Sequence, residues 1–259
     1  MKHGLLLLSV WLVGCATAAP PPAPETVVST SDATAIFSDG WRGSLWLSSD
    51  FDGTQTRRMT GNTLVVDMEQ RAKTGGLDAG VGLEADPRPA VATLHADTRA
   101  CFDFDMDVSG EGRWWAGPKI SVNWQDDGDY HGMSGWYENY VVEAASTSFD
   151  DILDGITGYG QGVFLGTTEQ DGATYHHYRA KHSDWTQFWS VREGWRDSGT
   201  TSIRPILDMW VEGGLPEDLP VDGIKLNVET YGPVAGEIAI TGIVDSDMTR
   251  APVRSCEAI

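Results

Sequence analysis

Two glutamates lie in the middle of segments that have the pattern of β-strands. Glu138 is in GWYENYVVEAA (135–145), and Glu229 is in IKLNVETYG (224–232). A carboxylate on a half-buried strand loses hydration unless a partner compensates for its charge. Two such acids are the minimal equipment for glycoside hydrolysis, one as nucleophile and one as proton donor. A solvent-facing or salt-bridged structural role is the alternative for each glutamate.

The first of these segments carries a second glutamate. Because side chains alternate along a strand, Glu138 shares a face with Tyr140, whereas Glu143 falls on the other face with Tyr137. The two acids therefore cannot act together, and Glu143 is expected on the outer face in a structural role.

Other motifs offer weaker chemistry. The glycines of GYGQG (158–162) lack the strand-turn-helix context of a phosphate loop, so we expect a mobile loop. DDGDYH (126–131) is read as an acidic turn, with calcium binding as an alternative. His176 and His177 are adjacent on a strand and face opposite ways, which is a poor metal pair. We therefore predict no metal site and no cofactor.

Composition narrows the class of protein. The net charge of -20 and the pI near 4.4 argue against a nucleic-acid partner and against a basic membrane-binding face. Eleven tryptophans exceed what a core of this size needs. Sugar rings stack on such aromatic side chains, so a carbohydrate ligand fits this composition.

The N-terminus reads as an export signal. Residues 1–14 contain one lysine and an apolar run, and LVGC, which ends at Cys15, resembles a bacterial lipobox. We predict lipidation of Cys15, a proline-rich tether over 15–35 and a catalytic domain over 36–259. Cleavage near Ala18, which would give a secreted protein, is the alternative.

Two further cysteines are present, Cys101 and Cys256. In an oxidising compartment they are expected to form a disulfide that holds the C-terminal tail to a strand.

Segments of period two dominate the rest of the chain and predict an all-β sandwich of two antiparallel sheets, a jelly roll. The predicted strands cover 43–48, 63–69, 100–108, 118–124, 136–143, 174–180, 185–193, 223–230 and 235–243. One segment, SIRPILDMWVEGGL (202–215), has helical spacing, with Ser202 as N-cap and Gly213 as the stop. It predicts a single helix packed on the sandwich.

Several segments resemble the family 11 glycoside hydrolases, the β-jelly-roll endo-1,4-β-xylanases. DGATYHHYRAKHSDWTQFWSVREGWRDSGTT (171–201) is similar to the family's central strands, which read like GGTYDIY and TQYWSVRQSKRTSGT. YENYVVEAA resembles the family's EYYIVE strand, and NVETYG resembles its ATEGY strand. The order of these segments and the position of the predicted helix between the last two agree with the family.

The resemblance implies roles for individual residues. Glu138 would be the nucleophile and Glu229 the acid/base. The expected substrate-binding side chains are Trp46, Tyr140, Gln187, Trp189, Arg192 and Tyr231. Of these, Gln187 and Tyr140 are expected to form hydrogen bonds near the nucleophile, and Arg192 and Tyr231 are expected to line the cleft.

The chain also departs from the family. Only AKHSD (180–184) joins two strands that in the family are connected by a long thumb loop, so the groove is expected to be open. Asn123 would replace a family tyrosine if ISVNW is the equivalent strand. The insertion TSFDDILDGITGYGQGVF (147–164) offers a replacement wall.

These features predict a monomeric, exported β-1,4-glycanase that cuts xylan or a related polysaccharide with retention and meets the membrane only through its lipid anchor. A carbohydrate-binding lipoprotein without catalysis is the alternative from another class. A jelly-roll polysaccharide lyase is a third, although lyases abstract a proton with Tyr, His or Lys, and the sequence assigns no such set to the groove. The carboxyl groups of Glu138 and Glu229 are expected to be about 5 Å apart in the enzyme.

Overall fold

The computed structural model describes residues 26–29, 35–123, 136–159, 161–182, 185–245, 247–253 and 256. The predicted signal segment, Cys15 and the acidic turn at 126–131 lie outside these residues. Within the part of the chain that is described, no helix combines the length and hydrophobicity that a membrane span requires.

The described chain folds into two β-sheets and two α-helices. The first half contains β1 (Thr26–Ser29), β2 (Ala35–Ser38), β3 (Trp41–Leu47), β4 (Gly53–Thr60), β5 (Thr63–Gln70), β6 (Gly76–Glu84), β7 (Arg99–Ser109) and β8 (Arg113–Val122). The second half contains β9 (Trp136–Val142), β10 (Ala144–Ala145), α1 (Phe149–Tyr159), β11 (Val163–Gln170), β12 (Ala173–Lys181), β13 (Trp185–Arg192), β14 (Ser198–Ser202), α2 (Ile203–Glu212), β15 (Val221–Tyr231) and β16 (Val234–Ile243).

The strands form a sandwich. The smaller sheet has the order β1-β4-β5-β16-β7-β14, and the larger sheet has the order β11-β12-β13-β9-β8-β15-β6-β3-β2, with β10 paired to β8. On β5, alternate residues Leu64, Val66 and Met68 are buried and belong to the core. This period-two pattern confirms the prediction of a two-sheet, all-β fold.

Strand β15 is buried on both of its faces. Leu226 and Val228 point into the core between the sheets, while Asn227 and Glu229 are also buried although they fall on the opposite face. Burial on both faces is expected for a strand in the middle of a curved sheet. We call the face of the larger sheet that points away from the core, around β15 and β8, the groove face.

Helix α2 confirms the predicted helix. It buries Ile203, Ile206 and Trp210 in the core, and the amide of Gly213 closes it on the carbonyl of Met209. Ser202 occupies the N-cap position, but its hydroxyl bonds to Asp171 Oδ1 at 2.9 Å and makes no cap hydrogen bond.

The prediction of a single helix is wrong, because the insertion forms the second helix, α1. Ser148 caps it: the amide of Asp151 donates to Ser148 Oγ at 3.2 Å, and that hydroxyl donates to Asp151 Oδ2 at 2.6 Å. Gly158 and Tyr159, the first two residues of the expected GYGQG loop, belong to this helix. The low helix propensity of glycine makes the segment look like a loop.

The paired strands are antiparallel, as predicted, apart from one parallel pair. Strands β9 and β13 are parallel, and Glu138 is the register partner of Gln187. A parallel pair requires a crossover connection, which α1, β11 and β12 supply. A further difference concerns the predicted tether, because Thr26–Ser29 within it pairs antiparallel with β4.

The adjacent histidines face opposite ways, as expected. His177 is buried and is hydrogen-bonded to Ser190 Oγ at 2.7 Å and Thr168 Oγ1 at 2.9 Å. Burial lowers the pKa of His177 to about 4, so it is neutral at pH 7. His176 contacts Glu193 Oε1 at 2.6 Å instead.

Glu143 is buried, and this corrects the expectation that it lies on the outer face. It accepts hydrogen bonds from Tyr175 Oη at 2.8 Å, from Arg196 Nε at 2.8 Å and from Thr201 Oγ1, and Arg192 Nε lies 3.7 Å away. Because Thr201 belongs to the smaller sheet, the hydrogen bonds of Glu143 join the two sheets.

We expect Glu143→Gln to lower the free energy of unfolding by about 3–5 kcal/mol, because it leaves two partly buried guanidinium groups without a carboxylate. Urea denaturation followed by tryptophan fluorescence measures this change. Glu237→Gln is the matched control, since Glu237 forms an exposed pair with Arg58 at 2.6 Å and a surface pair contributes about 0–1 kcal/mol. Equal losses in the two variants would contradict the structural role of Glu143.

Cys101 and Cys256 form a disulfide that links residues 155 positions apart. Cys101 lies on β7 in the smaller sheet, so the bond ties the C-terminal segment to that sheet. A cross-link between distant positions removes many conformations from the unfolded chain.

Cys256→Ser is therefore expected to lower the free energy of unfolding by about 2–5 kcal/mol under non-reducing conditions. The unfolded wild-type protein should show no free thiol at either of these cysteines, and a reducing agent should bring its stability to that of the variant. Stoichiometric labelling of both thiols in the unreduced protein would refute the bond.

Candidate active site

The groove face of the larger sheet brings together acids from three strands. Glu138 lies on β9, Glu229 on β15 and Asp78 on β6, where Asp78 is the register partner of Glu229. Carboxylate oxygens of these three residues all lie within 4.8 Å of one another. The structure therefore brings the two predicted glutamates together on one face and adds a third acid.

Glu138 has a partner on each oxygen. Gln187 Nε2 donates to Oε2 at 3.1 Å, and the ammonium of Lys119 lies 2.7 Å from Oε1. The amide of Gln187 is oriented by Trp189, whose Nε1 donates to Gln187 Oε1 at 3.3 Å. Both partners of Glu138 are donors, so each of its oxygens accepts from a neighbouring side chain.

Glu229 has a different environment. Its carboxyl group is buried, accepts a hydrogen bond from Tyr140 Oη at 2.8 Å and lies 3.7 Å from Lys119 Nζ. Burial raises its pKa well above the usual value, Lys119 opposes this rise, and Asp78 and Glu138 add to it. Glu229 is therefore the acid of the site that most readily carries a proton at neutral pH.

Lys119 connects the three carboxyl groups. Its Nζ lies 2.6 Å from Asp78 Oδ2, in addition to its contacts with both glutamates. Burial disfavours its charge, but the three acids outweigh burial and raise its pKa well above the usual value. Lys119 is thus a half-buried cation that lies within 4 Å of all three acids.

Sequence reasoning missed Lys119 and Asp78. The available signal was the presence of one charged residue in each of two otherwise apolar, glycine-containing stretches, GPKISV (117–122) and GLDAGVG (76–82). Glycine also shapes this region, because a Cβ at Gly117 would lie 1.9 Å from the carbonyl oxygen of Val141. Because Gly117 has no Cβ, β8 can approach β9 beside Lys119.

The three acids also have the arrangement of a cation site, because each offers one oxygen within a common radius. The ammonium of Lys119 already lies at hydrogen-bonding distance from two of them. The chain therefore supplies a positive charge to this cluster from its own side chain.

Aromatic side chains flank the acids. Trp46 is the register partner of Asp78 on β3 and is 44% exposed. Tyr231 stacks on Trp115 with ring centroids 5.2 Å apart. An exposed indole beside a carboxylate pair is suited to stacking on a sugar ring.

Two expected substrate contacts are wrong. Arg192 lies on the core face of β13, where its guanidinium binds the carbonyls of Glu193 and Gly194 and approaches Glu143. The alternation that puts Gln187 in the groove puts Arg192 on the opposite face. Trp189 is buried and stacks on Tyr140 with centroids 4.4 Å apart, so it supports the groove floor and is not available to a ligand.

Tyr140 lies in the site, where its hydroxyl donates to Glu229 Oε1 at 2.8 Å. Asn123 lies beyond the end of β8, and Lys119 is the side chain of that strand that contacts the acids.

The β12–β13 hairpin and helix α1 lie at the side of the groove formed by β9 and β13. Strands β12 and β13 pair from Lys181 to Thr186, so the hairpin is short, as predicted. Helix α1 buries Ile152 and Ile156 in a cluster that includes Val142 and Trp189. The insertion therefore builds a wall on the groove face of β9 and β13.

The chain is similar to known proteins in sequence and in fold. The chain is 32% identical over 105 residues to a probable endo-1,4-beta-xylanase B of Aspergillus clavatus, covering 37% of this chain and 46% of the relative. It is 31% identical over 129 residues to an endo-1,4-beta-xylanase B of Phanerodontia chrysosporium, covering 43% of this chain and 42% of the relative. The matched segments thus span less than half the length of these curated relatives. No protein-family model matches the chain.

Solved structures extend the likeness across the domain. The family 11 xylanase from Neocallimastix patriciarum superposes with a TM-score of 0.60 at 18% identity, over 85% of this chain and all of that chain. A mutant of ENZbleach xylanase superposes with a TM-score of 0.61 at 18% identity, over 85% of this chain and 86% of that chain. The protein therefore has the jelly-roll fold of the family 11 xylanases.

Proposed function

We propose that the protein is an endo-acting β-1,4-glycanase that hydrolyses xylan or a related polysaccharide with retention of configuration. The observation that carries this proposal is the pair of glutamates whose oxygens lie within 4.8 Å of each other on one groove face. Retaining enzymes hold their two carboxyl groups about 5–5.5 Å apart, whereas inverting enzymes need room for a water between them.

We assign the catalytic roles of Glu138 and Glu229 from their different surroundings. Glu138, with donors on both oxygens, is the nucleophile that attacks the anomeric carbon. Glu229, whose pKa is raised by burial, protonates the leaving oxygen and then activates water as its base. Tyr140 and Gln187 position these carboxyl groups, and Trp46 and Tyr231 contact the sugar chain.

The comparisons support the substrate class. Both sequence relatives carry the name endo-1,4-beta-xylanase, and the matched solved structures are xylanases. Xylan is therefore the first substrate to test, with other β-1,4-linked polysaccharides next.

The alternatives fit the site less well. A carbohydrate-binding lipoprotein gains nothing from three carboxyl groups in one half-buried cluster, because such a cluster is costly to bury. A lyase needs a neutral lysine or an ionised tyrosine as its base. Lys119 and Tyr140 do lie in the groove, but burial and the neighbouring acids raise the pKa of Tyr140, and the acids raise that of Lys119.

The proposed location follows from the N-terminus. Residues 1–14 direct export, and Cys15 carries a lipid that anchors a monomeric domain at the cell envelope. Cleavage near Ala18 would release the same domain as a secreted enzyme.

Glu138→Gln tests the proposed mechanism. The amide is nearly isosteric but cannot form the glycosyl ester, so turnover of xylan should fall by about 10⁴-fold or more. Reducing-sugar release from a panel of β-1,4-glycans measures this loss, and affinity electrophoresis checks that glycan binding remains. Glu169→Gln, at an exposed position, is the control and should keep wild-type rates. Near-normal hydrolysis by Glu138→Gln would exclude Glu138 as nucleophile, and an inactive wild type with retained binding would favour the lipoprotein alternative.

The short β12–β13 hairpin generates a second test. Without a long loop over the acids, decorated chains should enter the groove, although fewer contacts weaken their binding. We expect similar initial rates on linear xylan and on heavily arabinosylated or glucuronosylated xylan at equal concentrations below saturation. Suppression of the rate many-fold by the substituents would mean that the α1 wall closes the groove.

A further inference from the structure

The catalytic groove holds more acidic than basic side chains around its two glutamates. Three acids, Asp78, Glu138 and Glu229, share one cation, Lys119. One ammonium cannot neutralise three carboxylates, so one of the three carboxyl groups is compensated least.

The distances show which carboxyl group that is. Lys119 Nζ is 2.6 Å from Asp78 and 2.7 Å from Glu138, both within hydrogen-bonding range, but 3.7 Å from Glu229. The side chain of Glu229 is 8% exposed, against 14% for Asp78 and 13% for Glu138. Glu229 thus combines the weakest contact with the cation and the greatest burial.

Other titratable and charged groups lie around the cluster. Tyr140, whose ring lies 4.9 Å from Lys119 Nζ, and Tyr231 both have raised pKa values and are neutral. Arg113 lies over the ring of Tyr231, and His182 bonds to Gln187. Lys225, on β15, is the register neighbour of Lys119.

Resting on the proposed hydrolytic function, we propose that Lys119 is a positioning residue: paired with Asp78, its ammonium holds Glu138 ionised and then follows the negative charge as it passes to Glu229. Lys119 acts through the two glutamates and is not assigned a contact with the substrate. Neither its chemistry nor that of Asp78 requires an added cofactor.

The charge balances in each half of the reaction. In the first half, a bond forms between a Glu138 oxygen and the anomeric carbon, the glycosidic bond breaks, and the proton of Glu229 moves to the leaving oxygen. Glu138 becomes a neutral ester and Glu229 an anion. In the second half, water gives its proton to Glu229, its oxygen bonds to the anomeric carbon, and the ester bond breaks to restore the Glu138 anion.

One negative charge is therefore present on the glutamates throughout, first on one side of Lys119 and then on the other. The two Lys119 contacts differ by about 1 Å, a displacement that a lysine ammonium makes by side-chain rotation. A cation between the acids keeps the buried charge compensated in both states, while Asp78 holds the ammonium in place.

The experiment compares Lys119→Met, Asp78→Asn, the double variant and Lys119→Arg with wild type. Removing the cation should raise the pKa of both glutamates, since an opposite charge within about 4–6 Å lowers a carboxyl pKa by about 1–3 units. Both limbs of the kcat/KM pH profile on soluble xylan should move upward by that amount. Asp78→Asn should move them downward, and the double variant should return them toward wild type.

A second readout does not depend on activity. In protein labelled with carbon-13 at the glutamate carboxyl groups, NMR titration should show the same opposite shifts for Glu138 and Glu229, assigned with Glu138→Gln and Glu229→Gln. Lys119→Arg keeps the charge and should keep both midpoints. Lys181→Met is the control, because it removes an exposed lysine of the same sheet, and circular dichroism verifies folding.

Unchanged titration midpoints in folded Lys119→Met would overturn the proposal. So would loss of activity at every pH with unchanged midpoints, since that outcome means that Lys119 only fills space. If Lys119→Met does not fold, Asp78→Asn decides, because unchanged glutamate midpoints in that folded variant also refute charge balance. Shifted and restored midpoints in a protein that cleaves no glycan would leave the ionisation role standing and reject the hydrolase.

Discussion

Compensation of buried charge is the constraint on which the groove depends. An ionised carboxyl group inside a protein must be paired or protonated, and here one lysine serves three acids. The acids come from β6, β9 and β15, with the lysine on β8. The register of these four strands must be correct before the charges meet, so the positions of the hydrogen-bonded pairs across the larger sheet determine the electrostatics of the site.

The same constraint recurs on the opposite face of the same sheet. The segment that supplies Glu138 to the groove supplies Glu143 to the core, five residues later, where Arg196 and Tyr175 satisfy it. The first cluster is partly open and holds more acid than base, whereas the second is closed and has two arginines for one carboxylate. The two clusters thus divide function and stability between the faces of one strand.

Sequence reasoning succeeded where a single strand carries the information. Alternation placed Glu138 and Tyr140 on one face and separated His176 from His177, and similarity of local motifs led to Gln187 and Glu229. It failed where separate strands meet: Lys119 and Asp78 are 41 positions apart, and neither is informative alone. Arg192 is a different case, because its own position on β13, one residue out of phase with Gln187, already assigns it to the core face. Helix α1 was missed because two glycines weaken its helical pattern while Ser148 and Asp151 cap it.

The position of β1 in the chain limits how far the domain can lie from a membrane to which it is anchored. Since β1 begins at Thr26, only residues 16–25 separate the folded domain from the proposed lipid on Cys15. An extended chain spans about 3.3–3.6 Å per residue, so such an anchor would keep the domain within roughly 35 Å of the membrane surface. With such an anchor, the groove would reach only polysaccharide chains that come within this distance of the membrane. Its substrates would be polysaccharide fragments that have already diffused to the cell, so other, freely diffusing enzymes would act before it.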